Sequence, residues 1–235
     1  MSHLANIIKQ IPVNQVVNFQ MQSQYNKIPV FRLTHIENIP HILKYGITHR
    51  KSINKNPNYK RIGLKSLIDK RETLNIKVQT ENQDKKVLLG NYIPFYFSNK
   101  SPMLYMIQNG YHVEKIEPEK VVYCVCRLNS FIDNDFNFYF TDGHPVTPFS
   151  KIYNNTRVNE IKELLDFEAI NADYWANTFD DNDIKRRKEA ELLVKGDIPF
   201  SLISGFVVYN ENAKVKLIEY GLYSGKVIAK MDYYF

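Results

Sequence analysis

The stretch KRRKEAELLVKGDIP, residues 185–199, sets two carboxylates, Glu189 and Glu191, between four cations and an apolar run. Two apart on a strand, they project to one face, with Ala190, Leu192 and Val194 on the other, toward a core. A carboxylate at a strand start that opens on a cleft suits sugar chemistry. It accepts a hydrogen bond from a ribose hydroxyl, and it stabilises the positive charge of an oxocarbenium-like transition state. The plainer alternative is a solvated strand end that balances Lys185, Arg186, Arg187 and Lys188. Spacing alone leaves both open.

A second constellation is RLTHIEN, where Thr34 and His35 end a strand just ahead of a helix. Backbone amides at a helix start are unpaired, so such strand ends are common nucleotide locations. A lone histidine is more often structural than chemical, and His144 in TDGHP reads equally as a turn residue. Neither G-x-G-x-x-G nor a Walker pattern occurs, so any nucleotide is held without a glycine-rich phosphate loop. No Ser-His-Asp or Cys-His grouping has the spacing of a triad. Cys124 and Cys126 share one face of VVYCVCRL and are poorly placed to bond to each other. They read as reduced thiols, in the core or half-buried, of a cytoplasmic protein. With six scattered histidines they give no structural zinc site, and no metal is expected.

Around these groups the chain is rich enough in apolar residues to fold. It has 235 residues, 44% hydrophobic and 13% aromatic, which predicts one domain over 1–235 with a substantial core. A formal net charge of +6 favours anionic partners such as nucleic acid or nucleotides. The first residues, MSHLANIIKQIPVNQ, lack the pattern of a signal peptide, and no stretch approaches the roughly 18 apolar residues of a membrane span.

The pattern predicts a strand over 28–35 and a helix over 35–47 that stops at Gly46. A polar, basic stretch over 48–91, too long for an ordinary connection, reads as a functional or mobile loop. YIPFYFS reads as a strand, SPMLYMIQNG as a helix capped by Ser101 and ended by Gly110, and KVVYCVCRL as a buried strand. FNFYFTDGHP is strand then turn, TRVNEIKELLDFEAI one helix, and DNDIKRRK helix or loop. EAELLV is a strand, ISGFVVYNENAKVKLIEYG strand then helix, and KVIAKMDYYF a closing strand. Such mixing without alternation implies α+β around a mostly antiparallel sheet.

Six stretches, in order, resemble the DarT family of toxins, ADP-ribosyltransferases that act on DNA bases. They are FRLTHIENIPHILKYGI, IGLKSLIDKR, YIPFYFSNKSPMLYMIQNG, FTDGHP, YWANTFDDNDIKRRKEAELLV and GFVVYNENAKVKL, and they cover roughly residues 28–215. The resemblance implies an ADP-ribosyltransferase fold, a split antiparallel sheet with NAD, a substrate, in its central cleft. It implies that Glu191 is the catalytic glutamate and that Arg71, in LIDKR, is a second catalytic residue that also faces the cofactor. Thr34, His35, Asn38 and Tyr92 are implied for the rest of the NAD pocket. Glu189, where the family often has Gln, becomes a secondary substrate-binding candidate. The acceptor would be a base, thymine favoured and guanine possible, in single-stranded or flipped-out DNA. On that reading the basic 48–71 stretch, with Lys60 and Arg61, and Lys185–Lys188 track phosphates. Tyr59, Tyr153 and Trp175 offer stacking surfaces. A cognate macrodomain antitoxin that removes the ADP-ribose is the implied partner. Transfer to protein or RNA, and a non-catalytic nucleic-acid-binding module, are the alternatives.

Overall fold

The computed structural model describes residues 28–80 and 84–235. The N-terminal stretch read above for its lack of a signal peptide lies outside these residues. Strands β1 (Pro29–His35), β2 (Asn75–Val78), β3 (Lys85–Leu88), β4 (Tyr92–Tyr96), β5 (Val121–Arg127), β6 (Phe138–Thr141), β7 (Ile152–Asn154), β8 (Glu191–Lys195), β9 (Gly205–Val208) and β10 (Val227–Ala229) alternate irregularly with short helices. Those used below are α1 (Ile39–Tyr45), α2 (Lys65–Thr73), α3 (Pro102–Asn109), α4 (Phe167–Asn171), α5 (Ile184–Lys188) and α6 (Glu211–Glu219). Eight strands form one sheet in the order β10-β9-β5-β1-β4-β8-β6-β7, and β2 and β3 pair separately. Among the strand pairs of this sheet in the described residues only β10 with β9 is parallel, so the sheet is mixed but largely antiparallel.

The sheet is split. β1 pairs with β5 over its whole length, Pro29↔Arg127 to His35↔Val121, and β4 pairs with β8 from Tyr92↔Lys195 to Tyr96↔Glu191. Between β1 and β4 the register holds a single pair, Phe31↔Tyr96. Two four-stranded halves therefore meet at one point and diverge, and the diverging strands leave a cleft. Both faces of the sheet are covered. Val30, Phe95, Cys124, Leu192 and Val194 pack on one side. Phe31, Leu33, Tyr123 and Val207 pack on the other. A strand buried on two faces must be apolar at every position, which is why VVYCVC reads as a continuous run. Cys124 and Cys126 are free and fully buried. Burial pushes the Cys124 thiol up to about 12 and the Cys126 thiol higher still.

Several elements differ from their sequence reading. The stretch 48–91 is not one loop: it holds α2 and the β2–β3 hairpin. The hairpin alternates too briefly to stand out, yet Ile76 and Val78 bury against Tyr92, Tyr139 and Leu193. The single helix expected over 156–170 breaks near Leu165, because the Asp166 side chain accepts from the Ala169 amide at 2.9 Å and caps a new helix, α4. EAELLV is a strand only from Glu191. Glu189 caps the C-terminus of α5 instead, so the two glutamates do not share a strand face. The C-terminal strand is three residues long and gives way to a 3₁₀ turn over Met231–Tyr233. That turn seats the Tyr234 hydroxyl between the carbonyl oxygens of Val121 (2.9 Å) and Val207 (3.1 Å).

The turn after α1 delivers the chain to the cleft, and it needs glycine. Gly46 sits at φ 76°, ψ −164°, a region closed to side chains, and a Cβ there would run into the carbonyl of Ile198. The adjoining Ile47↔Ile198 bridge ties this turn to the chain after β8. Gly46→Ala is therefore expected to cost about 2 kcal/mol or more of stability. Urea or thermal unfolding measures this.

Candidate active site

Glu191 opens β8 beside the split and is 1% exposed. Its carboxylate takes both arms of Arg71, Nη1 to Oε1 at 3.0 Å and Nη2 to Oε2 at 2.8 Å. This is the bidentate fork geometry that orients a carboxylate best. Burial opposes the Arg71 charge, but Glu191 outweighs it and holds the guanidinium pKa above its ordinary value. Arg71 comes from α2, inside the segment read as a loop. The backbone of Glu191 is fixed as well: its N–H donates to the Thr141 hydroxyl at 2.9 Å, and that hydroxyl donates to the Gly143 carbonyl at 2.6 Å. The TDGHP turn thus sets the height of the glutamate in the cleft.

Arg71 and Glu191 line a cavity of about 450 Å³ at the split, within the range of small-molecule and cofactor sites. Thr34 and Asn38 line it from the β1 end, and Tyr92 and Tyr96 from β4. His49, Asn56, Tyr59 and Arg61 line it from the loop before α2, and His144 from the TDGHP turn. Burial, then the Glu191 charge, push the Tyr96 hydroxyl pKa well up, so it remains a protonated donor beside the carboxylate. Burial lowers His144, against the pull of Glu191, which favours a neutral imidazole.

The other sequence candidates fall elsewhere. His35 does not line the cavity; its Nδ1 accepts from the Glu37 amide at 3.2 Å and caps the turn that follows. Lys60 is exposed, and its ammonium lies 3.7 Å from Glu37. Tyr153 is buried, its ring 5.3 Å from that of Phe140 and under Arg157. Trp175 packs between Tyr105 and Phe235, with Lys188 over its face. Among the described residues no group of three or more His, Cys, Asp or Glu could hold a metal ion.

The basic run 185–188 is largely structural. Arg186 forms ion pairs with Asp142 and Asp183 (2.7 Å each), and its carbonyl accepts from His144, locking the TDGHP turn onto α5. Arg187 pairs with Asp166, Asp181 and Asp183. Lys188 is buried and donates to the carbonyls of Ile170 (2.8 Å) and Ala172 (2.7 Å). Of the four, Lys185 alone is exposed. Sequence reasoning missed Arg32, Tyr96 and Thr141. Arg32 was findable: it lies two residues before Thr34, so alternation puts the two side chains on one face of β1, and both line the cavity.

A split, largely antiparallel sheet with a buried glutamate in its cleft is the arrangement expected above for an ADP-ribosyltransferase fold. Comparison with known proteins agrees. A family model described as "DarT: ssDNA thymidine ADP-ribosyltransferase, DarT" matches residues 31–235, and the chain belongs to this family. A DNA ADP-ribosyl transferase of Escherichia coli O127:H6 is 32% identical over 192 residues, covering 81% of this chain and 84% of that protein. A DNA ADP-ribosyl transferase of Thermus sp. (strain 2.9) is 29% identical over 195 residues, covering 81% and 86%. The structure of Thermus sp. 2.9 DarT in complex with ADP-ribosylated ssDNA superposes with a TM-score of 0.74 at 27% identity, over 88% of this chain and 96% of that one. The complex of the same protein with carba-NAD+ gives 0.71 at 26% identity, over 88% and 98%.

Glu189 is half-buried, and burial, then the Glu191 charge, raise its pKa to about 7. The folded pKa lies above the unfolded one, so the native state binds more protons between about pH 4.5 and 7 and loses stability as pH rises through that window. Glu189→Gln removes that cost. The variant is expected to melt a few degrees above the parent at about pH 8 and level with it near pH 4.5. Paired melting curves across this range check it.

Proposed function

We propose that this chain transfers ADP-ribose from NAD to a base of single-stranded DNA, with thymine the favoured acceptor. The observation that carries the reading is the buried Arg71–Glu191 fork in the cleft of the split sheet. The family match and the likeness to DarT bound to ADP-ribosylated ssDNA support it.

The chemistry follows from the groups present. The bond between C1′ of the ribose and the nicotinamide nitrogen breaks, and its electron pair leaves with nicotinamide. C1′ gains cationic character and is captured by a ring nitrogen of the base, which gives up its proton. Arg71 occupies one acceptor site on each oxygen of Glu191 and leaves the remaining lone pairs to face the cavity. Glu191 is then placed to accept from the ribose 2′-hydroxyl, to stabilise the charge on the sugar, and to take the base proton. Thr34 and Tyr92 contribute to the walls around NAD. Lys55 and Arg61, which line the cavity, supply cations for its phosphates and those of the strand.

A base inside a duplex is out of reach of such a cleft, so the acceptor is unpaired or flipped. A macrodomain antitoxin that removes the ADP-ribose is the partner this activity calls for. A Thermosipho africanus relative, 24% identical over 180 residues, is named as a DNA ADP-ribosyl transferase–DNA ADP-ribosyl glycohydrolase fusion protein. Among the described residues no helix is long and apolar enough to cross a membrane, in keeping with a cytoplasmic enzyme.

The test is incubation with labelled NAD and single-stranded DNA, RNA or protein. Label is expected on DNA containing thymine. Glu191→Ala should lower transfer by at least about a hundredfold. Mass spectrometry of the released nucleosides names the base. Label on protein alone defeats the reading.

A further inference from the structure

Asn38 stands at the β1 end of the cavity without a role in the chemistry described above. It lines the cavity, yet it is 1% exposed and its amide has no capacity left for a ligand. Nδ2 donates to the Thr34 hydroxyl at 3.0 Å and to the Lys60 carbonyl at 2.9 Å. Oδ1 accepts from the Lys60 amide at 2.9 Å and from Asn56 Nδ2 at 3.4 Å. An amide side chain offers two donors and two acceptor sites, and all four are engaged. The Lys60 N–H requires an oxygen opposite it, which fixes the orientation of the amide.

Asn38 thus pairs with the backbone of Lys60 as a neighbouring strand would. The clasp holds one end of the segment 49–61. The other end is tied to Asp197, which accepts from the His49 amide at 2.7 Å and the Ser52 hydroxyl at 2.5 Å. The His49 ring adds a contact to the Gly90 carbonyl at 2.9 Å. Between the ties, Asn56 caps its own turn by accepting from the Asn58 amide. Tyr59 and Arg61 flank the clasped residue and both line the cavity. Their neighbours along the segment are largely exposed, so little packing holds them in place.

We infer that Asn38 is a positioning residue: it makes no contact with NAD, and by gripping Lys60 it sets Tyr59 and Arg61 at the cavity wall where they bind NAD. This rests on the reading of the cleft as an NAD site. Glu191 and Arg71 are held by other contacts, so loss of the clasp should weaken NAD binding and spare the chemical step.

The test is a mutant cycle on purified protein, read as KM for NAD, kcat with single-stranded DNA, and NAD affinity by calorimetry. Asn38→Ala is expected to raise KM about tenfold or more with kcat changed less than about threefold. The Tyr59→Ala/Arg61→Ala variant should raise KM similarly. Adding Asn38→Ala to it should change little further, because a released segment has already lost those contacts. Limited proteolysis should cut within 53–59 faster in Asn38→Ala. If Asn38→Ala does not fold, Asn38→Asp, which keeps the volume but loses both donations, enters the same cycle. Effects that multiply would mean that Asn38 touches NAD directly and would overturn the inference, as would a fall in kcat at unchanged KM. An unmodified protein that binds NAD but labels no DNA would instead defeat the functional reading and leave the clasp testable by calorimetry.

Discussion

The fork between Arg71 and Glu191 joins two parts of the chain 120 residues apart in sequence. Helix α2 has no fully buried residue of its own, so apolar packing holds it weakly. Its backbone rests on Gly90, where a Cβ would press on Arg71 and Glu72. The Arg71 side chain then reaches past the hairpin to the sheet. Taking a guanidinium and a carboxylate out of water is costly, and breaking such a pair by removing one partner typically costs about 3–5 kcal/mol. The pair is therefore a poor stability device; two apolar residues would pack the same space at less cost. Its value lies in orientation, since a two-point fork fixes the plane of the carboxylate as well as its position.

The second constraint is the point contact between β1 and β4. A split sheet exposes backbone donors and acceptors that a continuous ladder would pair, and these need partners. Arg32 supplies one: its Nη1 donates to the Pro94 carbonyl across the gap at 3.2 Å. Proline at 94 removes a donor from the same edge. One side chain and one imino acid thus soften the edge without closing it, and the cavity survives between strands that would otherwise pair.

The fold class was readable because the core strands are long and apolar. KVVYCVCRL, the Ser101-capped helix and the helix ending before Gly221 obey local rules that tertiary structure did not override. The segment 48–91 was not readable, because the partners of its short apolar runs are supplied by β4, β6 and β8. Glu191 and Arg71 were named as candidates by resemblance. Their pairing was hidden, since nothing local in LIDKR announces a carboxylate 120 positions away. The basic run 185–188 misled in the opposite direction. Its charge suggested phosphate binding, but Asp142, Asp166, Asp181 and Asp183 already neutralise Arg186 and Arg187. Those acids are dispersed in sequence and gather only in space.

Glu189 and Glu191 began as a matched pair, and the fold separates them. Two carboxylates in one neighbourhood cannot both ionise without penalty, and environment decides which does. Arg71 forks onto Glu191. Glu189, at the end of α5, is raised first by burial and then by the Glu191 charge, with Lys185 the cation that opposes the shift. It therefore keeps its proton up to about pH 7. Its neutrality spares Glu191 a second negative charge nearby, so the attraction of Arg71 goes undiluted into holding the one carboxylate that faces the cleft. Two glutamates of one short motif thus take different roles: burial and a neighbouring charge raise the pKa of Glu189, while Arg71 orients Glu191 toward the cleft.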